Sequence, residues 1–252
     1  MSKKCTIDAQ GVYYRQLNEQ IRDAIRDGAT EFSLENVRGQ RYIGNSVEAP
    51  VHFTINGVPG QDLAMFMRGA TIRVEGNAQD GVGNTMDDGE IQINGMAGDV
   101  LGYAMRGGRI LVKQDVGYRV GIHMKSYMHK IPVIVAGGKA GDFLGEYMAG
   151  GAIILLGMDS TMKESAPITG RSLGTGMHAG VIYLRGDVPE YQLGKGLALE
   201  SVDEDDIAFI RSHVSDWAEA FGKDVEEVMR GEFKKVKPFS HRPYGNMYVG
   251  TN

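Results

Sequence analysis

Four stretches of the sequence, residues 52–67, 71–86, 90–105 and 109–124, superimpose without a gap, each beginning 19 residues after the one before. Methionine closes every copy, at Met67, Met86, Met105 and Met124, and the same frame carries Gly83, Gly102 and Gly121. An alternating apolar pair opens each copy: Phe53/Ile55, Ile72/Val74, Ile91/Ile93 and Ile110/Val112. Alternation with period 2 is the pattern of a strand with one buried face. A 19-residue unit is too short to hold a strand and a crossover helix, and identical units in identical frame need the same surroundings, which parallel stacking supplies. The expected fold is therefore all-β, a right-handed parallel β-helix whose coils lie about 4.8 Å apart, with the Ile/Val pairs and the Met column as interior ladders. Glycine, 36 of 252 residues, stands at about twice its usual share of about 7 %, as a chain that turns a tight corner several times per coil requires.

Three further units continue the pattern with insertions. Val133/Val135 leads to Met148, Ile153/Leu155 to Met177, and Ile182/Leu184 to Leu197, which makes about seven coils within residues 52–200. The added residues are expected in loops at 125–131 and 158–169. Left-handed coils of six-residue repeats and nine-residue calcium-binding coils are excluded by the period. An open β-helix exposes unpaired strand edges at both ends, and both flanks read as covers. In the first, residues 1–51, a helix over 13–27 presents Leu17, Ile21, Ala24 and Ile25 on one face and stops at Gly28, before an alternating strand from Thr30 to Val37. In the second, residues 201–252, the acidic first turn at 203–206 opens a helix with Ile207, Ile210, Val214, Trp217 and Phe221 in one stripe, followed by an irregular tail.

The formal charge of -5, with scattered Lys and Arg, argues against nucleic acid or an anionic membrane as partner. No apolar run approaches the roughly 18 residues of a membrane span, and no signal peptide is legible at the N-terminus. A single cysteine, Cys5, excludes an internal disulfide or a Cys-x-x-Cys motif, so a reducing, cytoplasmic setting is expected.

Several residues invite a chemical reading, and each has a plainer one. Gly174-Thr-Gly-Met-His-Ala179 approaches the dinucleotide fingerprint, yet that fingerprint must open a helix, and here a strand follows. The glycines are better explained as coil corners. His52, His123, His129, His178, His213 and His241 show no spacing typical of zinc ligands. Cys5 follows four residues instead of standing first, which favours an inert thiol over an N-terminal nucleophile. Asp80, Asp99 and Asp142 recur in successive coils, as in polysaccharide-cleaving β-helices, but Asp also suits corners. The methionine column is core filler before it is a soft-metal site. No catalytic, cofactor-binding or metal-binding residue is assigned in this chain.

The segments Gly98-Asp-Val-Leu-Gly-Tyr-Ala-Met-Arg-Gly-Gly108, Asp115-Val-Gly-Tyr-Arg-Val-Gly-Ile-His-Met124 and Gly138-Lys-Ala-Gly-Asp-Phe-Leu-Gly-Glu-Tyr-Met-Ala-Gly-Gly151 resemble the Gly-x-x-Gly-x-x-x-Gly repeat family. That family comprises the C-terminal β-helix domain of the glutamate synthase large subunit and the related β-helix subunit of formylmethanofuran dehydrogenase. Leu17 to Gly44, including Glu35-Asn-Val-Arg-Gly-Gln-Arg-Tyr-Ile-Gly44, and Lys237-Pro-Phe-Ser-His-Arg-Pro-Tyr-Gly245 are similar to the free-standing form of the glutamate synthase domain. The resemblance implies a non-catalytic scaffold subunit of a split glutamate synthase. Its partners would be a glutamine amidotransferase chain and a synthase chain, and FMN and the iron-sulfur cluster would reside in the latter. A scaffold subunit of formylmethanofuran dehydrogenase or a related complex is the alternative, and an independent β-helix enzyme a third reading. The two insertions and the tail at 237–248, which carries Phe239, Tyr244 and Tyr248, are the expected docking surface.

Overall fold

The computed structural model describes residues 3–239. Eleven strands form one sheet, and its order follows the chain until the last two strands exchange places. The first nine, β1 (Lys3–Asp8), β2 (Ala29–Arg38), β3 (His52–Val58), β4 (Arg68–Val74), β5 (Asp88–Ile93), β6 (Arg109–Val112), β7 (Val133–Ala136), β8 (Ala149–Leu155) and β9 (Ala179–Arg185), stack in parallel. The pairing is in strict frame: Ile72 lies beside Ile91, Ile91 beside Ile110, Ile110 beside Ile134, and Ile153 beside Ile182. The architecture is the parallel β-helix that the 19-residue repeat implies. Met67, Met86, Met105, Met124, Met148 and Met177 form an interior column, each at most 1 % exposed.

Each turn has three walls. The sheet strands make the first, and isolated parallel bridges joining Ala78, Ala97, Val116 and Ala140 mark the second. The third is not a β-strand. It consists of residues in the left-handed region at every second position, such as Val100, Gly102 and Ala104, with φ of 52°, 69° and 50°. Among the described residues seven such triplets occur, from Tyr42, Gly44 and Ser46 to Ser172, Gly174 and Gly176, so six turns separate the first from the last. The outer two N–H groups of a triplet donate to the following turn: Val100 to the Tyr118 carbonyl at 2.8 Å and Ala104 to the Ile122 carbonyl at 2.9 Å. The middle one donates backwards, Gly102 to the Val82 carbonyl at 2.8 Å. The three left-handed residues of a triplet thus send their N–H groups alternately forwards and backwards, and these bonds tie the third wall to the turns on either side.

The middle residue of the triplet also sets the width of the interior. A Cβ built on Gly102 would lie 2.5 Å from Ile134 Cδ1, and one on Gly121 would lie 2.6 Å from Ile153 Cδ1. The isoleucines of the sheet wall reach across and touch the backbone of the third wall.

Three expectations shift. The stack begins before residue 52, because β2 pairs in parallel with β3 and residues 42–46 already form a left-handed triplet. Its last turn is only partial: Gly194 donates its N–H back to Leu173 at 2.7 Å as the earlier middle glycines do, but no further triplet forms among the described residues, and β10 (Leu197–Ser201) and β11 (Phe233–Pro238) close the sheet in antiparallel fashion. In β7 the inward pair is Ile134 and Ala136, not Val133 and Val135, which join a second apolar cluster on the outer side. β7 is buried on both faces, so alternation could not report its frame, and a slip of one residue exchanges the faces.

Helix α1 (Tyr14–Arg26) buries Leu17 and Ile21 in the interior core and closes the N-terminal end of the stack, as expected. Asn18 Nδ2 donates to the Arg41 carbonyl at 2.8 Å, where an earlier turn would have placed an N–H.

Gly102→Val, which meets both the left-handed φ and the Ile134 contact, is expected to lower stability by at least about 2 kcal/mol. Ala104→Gly removes about 1–2 kcal/mol of left-handed strain against about 0.4–1 kcal/mol of added unfolded-state entropy, and should stabilise by about 0.5–1 kcal/mol. Denaturant midpoints of both variants test the pair, and a stable Gly102→Val would refute the width constraint.

Candidate interaction surfaces

From β6 to β9 the sheet turns apolar side chains outward as well as inward, among them Leu111, Val135, Ile154 and Tyr183. Helix α2 (Glu204–Phe221) lies across them with Ile210, Val214 and Trp217 buried, and Trp217 Nε1 donates to the Val112 carbonyl at 2.8 Å. The C-terminal helix thus covers a sheet face, while β10 and β11 take the end of the stack. Ile207, expected in the apolar stripe, is 36 % exposed. Its level of the interface is taken by Asp206, which is nearly buried and accepts from the Tyr183 hydroxyl at 2.6 Å, from Lys235 Nζ of β11 and from the Asp203 N–H at 3.0 Å. Burial opposes the charge of Asp206, but Lys235, Tyr183 and the Asp203 N–H outweigh it and hold its pKa down at about 2. Burial first, and then the Asp206 carboxylate, push the Tyr183 hydroxyl well above its ordinary value. Arg109 of β6 pairs with Glu90 and with Asp216, joining the uncovered polar sheet surface to the helix.

Among the described residues the third wall is uncovered, and it carries aromatic side chains. Phe66, Tyr103, Tyr118 and Tyr147 are 38–54 % exposed. His123 stacks on Tyr147 at 5.3 Å and meets Tyr103 edge-on at 5.8 Å, while the Arg119 guanidinium lies 4.8 Å from the Phe143 ring centre. This surface was missed in the sequence, although a signal existed. The residue before each column methionine (Phe66, Thr85, Ala104, His123, Tyr147 and Gly176) is left-handed; Phe66, His123 and Tyr147 are exposed, Thr85 and Ala104 half-buried, and Gly176 has no side chain.

The residues singled out for chemistry are dispersed. The segment Gly174 to Ala179 runs from the last triplet into β9 and opens no helix. His52 is exposed on β3, His129 lies in the first insertion, His178 precedes β9, and His213 is half-buried in α2, where burial pushes its pKa below the ordinary value. His241 lies outside the described residues. Cys5 is a free thiol packed against the core from β1. Asp80, Asp99 and Asp142 each use a carboxylate oxygen to accept the N–H of the residue one turn on, Asp99, Tyr118 and Arg171, at 2.8–2.9 Å. They are rungs between turns, which is why they recur. Among the described residues no three His, Cys, Asp or Glu converge as metal ligands, and no helix is long and apolar enough to cross a membrane.

The two insertions fall at opposite ends of the sheet strands. Residues 125–131 precede β7 and are pinned by Lys130 Nζ to Asp88 at 2.8 Å, exposing Tyr127, Met128 and Ile131. Residues 158–169 follow β8 and are held by two buried side chains: Lys139 Nζ donates to the Lys163, Glu164 and Ala166 carbonyls at 2.6–3.2 Å, and Asp115 accepts from Thr161 N and Oγ1 at 2.7 and 2.8 Å. Helix α2 packs over the strands between them, so they do not merge into the single expected docking surface, and most of the tail joined to them there lies outside the described residues.

A stack of identical glycine-cornered turns with alternating inter-turn bonds defines a repeat-solenoid class, and the comparisons place the chain within it. The chain belongs to the GXGXG motif family, whose model matches residues 8–240. It is 44 % identical over 253 residues to uncharacterized protein MJ1350 of Methanocaldococcus jannaschii, covering 98 % of this chain and 97 % of that one. It shares its fold with a chain of the formyltransferase/hydrolase complex (FhcABCD) of Methylorubrum extorquens, solved with methylofuran. The TM-score is 0.62 at 22 % identity, over 82 % of this chain and 73 % of that one.

The Asp206 carboxyl has a lower pKa folded, about 2, than its ordinary 3.8, so its contribution is present above about pH 4 and is lost as pH falls towards 2. Asp206→Asn should therefore lower stability at pH 7 by about 2 kcal/mol and narrow the gap to wild type as the pH approaches 2. Urea denaturation at several pH values reads both, and a gap independent of pH would contradict the assignment. Trp217→Ala should cost about 3–5 kcal/mol, read by the same denaturation.

Proposed function

We propose that this chain is a non-catalytic structural subunit of a multi-chain enzyme, and specifically the β-helix subunit of a split glutamate synthase. It would hold a glutamine amidotransferase chain and an FMN- and iron-sulfur-bearing synthase chain in register. The observation that carries the scaffold reading is the aromatic third wall. Tyr and Arg are enriched where partners dock, and here they stand on a backbone bonded turn to turn. Rigid placement of partners suits a reaction that hands an intermediate from one site to another, since rate is lost when reacting parts are misplaced. The glutamate synthase choice rests on the similarity of residues 35–44 and 237–245 to the free-standing domain.

A second reading, a scaffold in a formyltransferase/hydrolase-type complex, is favoured by the fold shared with the Methylorubrum extorquens complex. Affinity purification of the tagged chain from its own cells separates the two. The first predicts an amidotransferase and a flavin-containing synthase chain, the second formyltransferase and hydrolase chains, and recovery of the chain alone at low salt contradicts both. Tyr103→Asp with Tyr147→Asp should weaken the association at least about 30-fold, about 2 kcal/mol, with an unchanged melting temperature. The chain purified by itself should be colourless after desalting, and a stoichiometric flavin or iron-sulfur spectrum would overturn the division of labour.

A further inference from the structure

The first strand has one neighbour. Among the described residues β1 pairs with β2 alone, and the N–H of Ala9, just past its end, donates to the Glu35 carbonyl of β2 at 2.8 Å. The N–H and C=O of a strand residue point to one side, and successive residues alternate. Cys5 and Ile7 therefore face β2 as Ala9 does, while Lys4, Thr6 and Asp8 turn both backbone groups to the open edge. Side chains alternate with them: Lys4, Thr6 and Asp8 are exposed, and Cys5 and Ile7 pack against the interior core.

The closure of the stack by α1 is incomplete on the β1 side. Phe32 and Leu34 of β2, which have a strand on either side, are 3 % and 0 % exposed, whereas Cys5 and Ile7 are only half-buried. Val12 and, on α1, Ala24 and Ile25 also pack against the core while remaining partly open. An inward-pointing charge, one of the devices that blunt natural sheet edges, is absent from β1, although Lys3 and Lys4 guard its start. Lys3 reaches the Asp27 carbonyl at 2.8 Å, and Asp8 accepts from the Gln10 N–H and from Asn36 Nδ2, both at 3.0 Å. Lys4 stands free among the described residues.

We propose that the open edge of β1 is a docking site for an extended segment of a partner chain, which adds to the sheet in antiparallel fashion and completes the N-terminal end of the interior. Its backbone takes up the N–H and C=O groups of Lys4, Thr6 and Asp8, and two alternate apolar side chains cover Cys5 and Ile7. An acidic residue opposite Lys4 and a basic one opposite Asp8 set its direction, because directly opposed charges of unlike sign stabilise an antiparallel pair. The inference names where one partner of the scaffold docks, and to that extent it rests on the scaffold reading.

The test is a titration of the isotope-labelled full chain with the capped peptide Lys-Val-Thr-Val-Glu, designed to oppose residues 4–8, following amide hydrogen exchange. The N–H groups of Lys4, Thr6 and Asp8 should gain protection at about 1 mM peptide, while those of Cys5 and Ile7, already bonded to β2, change little. A peptide with Lys and Glu exchanged should bind about tenfold more weakly, and Lys4→Glu should narrow that preference. Thr6→Pro removes an N–H that faces away from β2, a position where an edge strand accepts proline, and should lose a partner that the wild type recovers from its own cells. A peptide that protects none of the three amides at about 10 mM, or a Thr6→Pro chain that retains every partner, overturns the site. So does strong protection of these amides in the isolated chain, which would mean that a second copy or another segment of the chain already fills the edge. If the wild type recovers no partner at all, the scaffold reading falls, and the peptide titration still decides the edge.

Discussion

The structure depends on a contact between two walls: the sheet isoleucines end against the bare backbone of a left-handed glycine, as Ile134 does at Gly102 and Ile153 at Gly121. The interior is one side chain wide. That width fixes the repeat, because each turn must return the same side chain to the same level for the next glycine to receive it. It also explains why the methionines stand beside the glycines, where an unbranched side chain fills what the isoleucines leave. A single methyl group added to the glycine column has nowhere to go without moving a wall.

Stacking satisfies the backbone only between turns, so the ends are the chemically interesting places. At the N-terminal end a helix inserts Leu17 and Ile21 and a side-chain amide takes over a missing bond. At the C-terminal end the sheet is closed by antiparallel strands, and Gly194 bonds back to Leu173 over the last triplet of the third wall. Charged groups elsewhere are mostly spent on structure. Asp80, Asp99 and Asp142 bond to the next turn, Asp115 and Lys139 hold an insertion, and Asp206 locks α2 to β9 and β11.

Helix α2 divides the molecular surface. Over β6 to β9 it buries an outward apolar face that would otherwise be open, whereas the aromatic third wall stays exposed among the described residues. An uncovered wall with Tyr103, Tyr118 and Tyr147 on a rigid lattice suits a scaffold, in which geometry between partners is the product.

The period, the parallel stacking, the identity of the interior columns from Phe53 to Val112 and the methionine column were legible in the sequence, because inward side chains repeat at 19 residues wherever the environment repeats, and α1 and α2 were legible from their apolar stripes. The resemblance carried by the glycine-rich segments was legible too, and the family match over residues 8–240 bears it out. The frame of β7 was not, since a strand covered on both faces by the core and α2 has no polar side to mark it. Nor was the first turn at residues 42–46, where Val47 stands in place of the column methionine. The third wall escaped for a deeper reason. Left-handed conformation at a non-glycine residue such as Val100 or His123 leaves no local mark, because it is imposed by bonds to the turns on either side. Composition and spacing determined that this chain must coil. Only the tertiary structure decided how the two ends of the coil are closed, because that depends on where α1 and the strands after β9 pack.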